Sequence, residues 1–120
     1  MSRKKKSETP KELSPLALDL IASRFRALSE PVRLRLLNLL MQGEHTVGQL
    51  VEASGSGQAN VSKHLSVLRE AGMVGTRKEG LTTVCFIADQ IVTDLCEMMC
   101  SRLREEMESK AAALSFDPGI

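Results

Sequence analysis

The side chains best suited to chemistry in this sequence lie between Gly57 and Gly72, GQANVSKHLSVLREAG, and the chemistry they suit is recognition rather than reaction. Val61, Leu65 and Leu68 recur at i, i+4 and i+7, which places them on one edge of a helix. Gln58, Ala59, Asn60, Ser62, Lys63 and His64 supply small side chains and hydrogen-bonding tips. Small residues let a helix backbone approach a partner closely, and amides and a lysine are the groups that read base edges and phosphates. The pattern predicts a DNA-recognition helix. His64 lies close to the apolar edge, so it is expected either packed or bound to phosphate. No nucleophile–base pair, phosphate loop or metal triad is assembled elsewhere, and an enzyme is not expected.

A second set of reactive side chains is Cys96 and Cys100, with Cys85 further back. The i, i+4 spacing puts Cys96 and Cys100 on one helix face. Paired thiolates of this kind can hold a soft ion such as As(III), Zn²⁺ or Cd²⁺, with Cys85 as a third ligand if the fold brings it near. The same thiols could form a redox switch. They could equally be small buried hydrophobes, where free cysteine usually sits. No cofactor is required by any of these readings.

The elements that must position these groups can be read in order. Residues 1–14 are rich in Lys, Ser, Glu and Pro and lack periodicity, so they are expected to be disordered. The basic run Arg3-Lys4-Lys5-Lys6 is either a solubilising tail or an arm that adds phosphate contacts. Pro15 to Leu28 predicts a first helix with Leu16, Leu20, Ile21, Phe25 and Leu28 on its apolar face. Ser29-Glu30-Pro31 predicts the start of a second helix, capped by the serine and stopped by Gly43. Its leucines should form the centre of the core. Thr46-Val47-Gly48-Gln49 fits a capping box opening a short third helix. Ser54 to Gly57 makes the turn into the recognition helix, completing a helix-turn-helix. After Gly72 the period changes toward two. Met73–Lys78 and Thr82–Ala88 predict a two-stranded hairpin around Glu79-Gly80-Leu81, with Arg77 and Lys78 near its tip as DNA contacts. Thr46 joins this set from the start of the third helix. A last helix runs from Ala88 or Asp89 to about Ala113. Its stripe, Ile91, Leu95, Met98, Met99, Leu103 and Met107, exceeds what a thin core can bury, so part of it is expected to meet a second copy.

Composition bounds the class. The chain has 120 residues, which is one domain with tails, here residues 15–113 between residues 1–14 and a flexible 114–120. With three Phe and no Tyr or Trp, the core must be aliphatic and the fold mainly α with a small β-hairpin. The formal charge of +1 says little by itself about nucleic acid, because a binder can gather its cations on one face. The odd count of three Cys, the absence of an apolar leader and of any run long enough to cross a bilayer predict a soluble cytoplasmic protein with reduced thiols.

In this order, the segments ALSEPVRLRLLNLL, TVGQLVEA, QANVSKHLSVLREAGMV and TRKEGLTTVCF resemble the ArsR/SmtB-like family of bacterial winged helix-turn-helix repressors. The resemblance covers about Ile21 to Ala88 and implies a homodimer joined by its first and last helices, with Leu16, Leu20, Ile91, Leu95, Met98, Met99 and Leu103 at the interface. It also implies that two recognition helices enter successive major grooves of an inverted-repeat operator, with repression as the outcome. The sequence departs from the family in three places. Gly57 stands where many members have serine. The third core helix has none of the cysteines of one family metal site. Asp89 and Asp94 lack the histidines of another. A winged-helix protein-interaction module without specific DNA binding is the competing reading. The small, polar outer edge of the recognition helix argues against it, because protein-docking faces favour aromatic or larger apolar anchors.

Overall fold

The computed structural model describes residues 11–114; residues 1–10 and 115–120, and with them most of both expected tails, lie outside the described residues. Eight elements follow in order: α1 (Pro15–Leu28), α2 (Pro31–Met41), β1 (His45–Thr46), α3 (Val47–Ser54), α4 (Gln58–Glu70), β2 (Val74–Glu79), β3 (Thr82–Ile87) and α5 (Gln90–Leu114). This is a winged helix-turn-helix, with α3 and α4 as the helix-turn-helix and the β2–β3 hairpin as the wing.

Local chemistry explains most boundaries. Ser14 caps α1 by accepting from the Ala17 N–H at 3.1 Å, and Pro15 follows in the first turn. The serine expected to cap α2 instead closes α1. Both the N–H and the hydroxyl of Ser29 donate to the Arg26 carbonyl. Glu30 is the N-cap of α2 and makes no side-chain capping bond. The reason lies in Pro31, which drives the residue before it into extended backbone, so the cap falls one residue later than expected. At the far end of α4, Gly72 takes φ +77° and the Met73 N–H bonds back to Leu68, which turns the chain directly into β2.

The sheet has three strands rather than the two expected, in the order β1-β3-β2, all antiparallel. β1 pairs His45 with Cys85 and Thr46 with Val84. Two residues carry no readable period of two, and Thr46 also serves as the cap of α3. In the wing, Glu79 pairs with Thr82, which leaves only Gly80 and Leu81 in the turn, with Gly80 at φ +67°. Gly75 lies opposite Phe86.

One aliphatic core holds the centre. Leu36, Leu37 and Leu40 of α2 meet Leu50 of α3, Val61, Leu65 and Leu68 of α4, Met73 and Val74 at the start of the wing, and Cys85 of β3. The two terminal helices barely enter it. α1 fully buries only Ala27 and α5 only Val92, a residue the expected stripe did not include. α5 runs 25 residues, roughly 37 Å. With so much helix projecting, the radius of gyration is 19.1 Å, against about 13 Å for a compact domain of this size. Leu114 belongs to α5 rather than to a flexible end.

The wing sets one clear steric limit. A Cβ added at Gly75 would stand 2.5 Å from Cε1 of the Phe86 ring. Replacing Gly75 with valine should therefore force the ring aside and cost about 1–3 kcal/mol. Urea denaturation of the variant beside the wild type, at equal protein concentration, reads that cost; an unchanged midpoint would contradict it.

Candidate nucleic-acid interface

The interface is built from the bottom by the cap of α3. Thr46 Oγ1 accepts from the Gln49 N–H at 3.0 Å, and Gln49 Oε1 accepts from the Thr46 N–H at 2.9 Å, the reciprocal pair of a capping box. Accepting from Gln49 leaves the Thr46 hydroxyl proton to donate outward. α3 ends on Gly55 in the left-handed region at φ +76°. The Ser56 N–H then bonds to Ser54 Oγ at 3.2 Å, bracing the turn. Gly57 caps α4 without a side-chain bond. The first-turn N–H groups of a 13-residue helix thus keep their partial positive charge facing outward.

α4 divides cleanly into two edges. Val61, His64, Leu65 and Leu68 are buried. Gln58, Ala59, Ser62, Lys63 and Ser66 are exposed, and Asn60 is half-buried at the margin. Arg69 lies on the exposed edge two turns beyond Ser62 and adds a cation that sequence reasoning passed over. Its signal was present in the spacing: Gln58, Ser62 and Arg69 fall at i, i+4 and i+11.

His64 is not part of this surface. The ring is buried, and its Nδ1 lies 3.0 Å from Nη1 of Arg33. A guanidinium can only donate, so Nδ1 accepts and the ring proton is on Nε2. The position four residues after Asn60 points the ring into the core, beneath the exposed edge rather than on it. Of the two sequence readings of this histidine, packed or phosphate-bound, the packed one describes the structure.

The wing also differs from expectation. Arg77 sits opposite Val84 within the strands rather than at the tip. Its Nη2 is 2.7 Å from Glu44 Oε1, its Nε donates to Glu79 Oε2 at 2.8 Å, and its guanidinium carbon stands 5.8 Å from the Phe86 ring centroid. The hydrogen bond from Arg77 holds the Glu44 carboxyl below its ordinary range, and the two carboxylates raise Arg77 further. Two acids thus balance the one arginine, although exposed pairs of this kind are cheap to break. Lys78 stands exposed nearer the tip, beside a fully exposed Leu81.

The cysteines do not converge into a site. Cys85 is buried in β3, where burial pushes its thiol up against a smaller opposing effect of Arg69. As a core side chain it is withdrawn from the ligand set that was considered for it. Cys96 is half-buried and likewise pushed up by burial, while exposed Cys100 accepts from Arg104 Nη2 at 3.5 Å. Among the described residues no three His, Cys, Asp or Glu side chains are grouped so as to hold a metal. A soft ion at Cys96 and Cys100 would need further ligands from outside the described residues.

Burial, Arg33 and Lys63 together hold the His64 imidazole below its ordinary pKa of 6.5, against a weaker upward pull from Glu30. The unfolded chain titrates near that ordinary value. Stability should be complete above about pH 6.5 and decline as pH falls toward the depressed folded value, because the unfolded state then binds a proton the folded state refuses. His64→Asn, which cannot titrate, should lose less stability than the wild type between neutral pH and the carboxylate range. Thermal melts across that range check this, and parallel curves for the two proteins would refute it.

The comparisons with known proteins agree with this geometry. Residues 30–76, from the cap of α2 into the wing, match the family model described as bacterial regulatory protein, arsR family. The chain is 42% identical over 77 residues to a probable mercury resistance operon repressor of Streptomyces lividans, covering 64% of this chain and 62% of that protein. It is 47% identical over 58 residues to a biofilm growth-associated repressor of Xylella fastidiosa, covering 48% of this chain and 51% of that one. The chain thus spans between half and two thirds of these two relatives. An uncharacterised HTH-type transcriptional regulator of Mycobacterium tuberculosis is matched more completely, at 32% identity over 78% of this chain and 82% of that protein. Its crystal structure superposes with a TM-score of 0.74, covering 83% of this chain and all of that one. The solution structure of a homodimeric winged helix-turn-helix DNA-binding domain from Mycobacterium bovis gives a TM-score of 0.73 at 32% identity, covering 78% of this chain and 87% of that one. With the helix-turn-helix, the wing and this breadth of likeness in agreement, the chain belongs to the arsR family of bacterial regulatory proteins.

Proposed function

We propose that the chain is a sequence-specific DNA-binding transcriptional regulator, a repressor that acts as a homodimer in the cytoplasm. The observation that carries this reading is the outer edge of α4. Gln58, Ala59, Ser62, Lys63 and Ser66 stand exposed on a helix whose opposite edge is locked into the core. A surface so small and polar can enter a major groove, where an amide pairs with adenine and a lysine with guanine or phosphate. Thr46 and the uncapped start of α4 are placed to meet the backbone on one side of the groove. Lys78 does so from the wing. Relatives named as repressors support the sense of regulation.

Dimerisation follows from the uncovered apolar side chains. Among the described residues, apart from Leu34 and Leu81, every large exposed hydrophobic lies on α5, on α1 or, as Leu13 does, just before it. Leu16 of α1 is 67% exposed, and Met98 and Met99 of α5 are 67% and 62% exposed. A surface this apolar is covered in a stable protein, and a second copy meeting it through α1 and α5 would set the two α4 helices roughly 34–36 Å apart, one turn of DNA. Any soft-ion sensing by Cys96 and Cys100 would draw its remaining ligands from the same pairing.

Two outcomes test the reading. Purified protein should prefer its own promoter region over random DNA, with affinity falling steeply as salt rises. Lys63→Ala should weaken binding to all sequences and flatten that salt dependence, while Gln58→Ala should relax preference at one base pair by about 1–3 kcal/mol. Equal losses on every sequence for both variants would contradict these roles. No preference for the promoter in the wild type would instead point to a protein-interaction module. Separately, Leu103 is half-exposed in the single chain, so Leu103→Glu leaves the core intact. In sedimentation it should shift the protein from dimer to monomer with its helix content retained; a persistent dimer would place the interface elsewhere.

A further inference from the structure

Arg33 lies behind the recognition surface, in a cleft it shares with Leu20, Ala27 and Val67, and it bonds to two other helices. From α2 its Nε donates to the Ala27 carbonyl at 2.7 Å and its Nη2 to the Arg26 carbonyl at 3.1 Å. Its Nη1 donates to Nδ1 of His64 at 3.0 Å. The two carbonyls belong to the last turn of α1, where negative partial charge gathers, and Arg33 joins Ser29 as a donor to the Arg26 carbonyl. His64 belongs to the buried edge of α4. One planar guanidinium therefore ties the end of α1 to the middle of the recognition helix.

That tie matters because, besides it, α1 is held to the core only near its C-terminal end, by Ala27 and the partly buried Leu28. Ala27 is its one fully buried residue, while Leu16, Leu18, Leu20 and Phe25 are all more than half exposed. α1 is also one of the two helices through which a second copy would dock. A rotation of α1 against α4 would carry the partner's recognition helix to the wrong place. DNA turns by roughly one tenth of a revolution per base pair, so an error of about 36° between the two recognition helices displaces the second half-site by a whole step. We propose that Arg33 is a positioning residue that fixes α4 relative to the dimerising helix α1, and thereby sets the half-site spacing the dimer accepts. This role presupposes the dimeric DNA-binding function proposed above. A lysine could not replace it, since a point charge cannot span three acceptors in a fixed fork.

The test uses the full chain. Wild-type protein first selects an inverted repeat from a random-sequence DNA pool, and that repeat is then remade with its half-sites one base pair closer and one further apart. Wild type should prefer the selected spacing by about tenfold or more. Arg33→Gln and Arg33→Lys should lose most of this preference while remaining dimeric and folded, a change that mere loss of stability would not produce. If either keeps the full preference, Arg33 does not set the spacing. Should both variants fail to fold, the His64 pair decides. His64→Asn places an acceptor oxygen about where Nδ1 stands and should keep the preference, whereas His64→Leu should lose it; identical behaviour of the two overturns the proposal. Should wild type select no sequence at all, the DNA-binding reading falls by itself. The tie is then judged without DNA, by amide hydrogen exchange along α1: faster exchange there in Arg33→Gln, with core amides unchanged, supports the tie, and unaltered exchange overturns it.

Discussion

Burial of one edge of α4 is the constraint on which the rest of this structure depends. Val61, Leu65 and Leu68 insert among Leu36, Leu37 and Leu40 of α2 and Leu50 of α3. Each such side chain contributes about 1.5–3 kcal/mol by leaving water. A rotation of α4 about its axis would expose several of them at once. The helix therefore has one stable orientation, and its remaining edge is presented to solvent by default. The exposed residues need not be held individually. They are small, and Ser62, Ser66 and Ala59 lose little conformational entropy when a partner covers them. A rigid edge with inexpensive side chains is what a reader of a groove requires.

Electrostatics then decide where on this scaffold an anion is favoured. Net charge is close to neutral, so attraction to a polyanion depends on where the cations are gathered. On the wing Arg77 adds little to it, since Glu44 and Glu79 flank it. What remains is local: Lys63 and Arg69 on the α4 edge, Lys78 on the wing, and the unpaired N–H groups at the start of α4. Such an arrangement favours tight fit over strong attraction. These charges sit close to the docked groove, so discrimination rests mainly on the docked geometry.

Much of this was legible in the residues. Period and capping chemistry located five helices and the wing, because α1, α2, α4 and α5 are long enough for a repeat to show and Thr46 with Gln49 forms a local motif. The unseen features share one property, distance along the chain or brevity within it. β1 is two residues long and exists only because Cys85 and Val84 pair with it. The bond from Arg33 to His64 spans 31 positions, and that from Arg77 to Glu44 spans 33. No window of sequence contains either pair. The shared consequence is that the residues alone left His64 open between packing and phosphate and placed Arg77 at DNA, where the structure gives each a side-chain partner within the chain. Ser29 was misplaced for the opposite reason. The motif was local, but proline shifted the cap by one residue.

The uneven spread of apolar side chains leaves the two terminal helices largely uncovered in the single chain. The core is complete around α2, α3, α4 and β3, yet α1 and α5 each contribute a single fully buried residue to it. Together they hold 39 of the residues, 14 in one and 25 in the other, and their helical ladders are stable in water only if an apolar face finds cover. A partner that covers these helices therefore does two things at once. It stabilises the helices, and it fixes the axis from which both copies of α4 are measured. Stability and recognition geometry would then share one interface, linked to α4 through the short core of α2. If that partner is a second copy, as proposed, loosening the interface would loosen the grip on DNA before it unfolded the core, because the core is complete within one chain and the spacing is not.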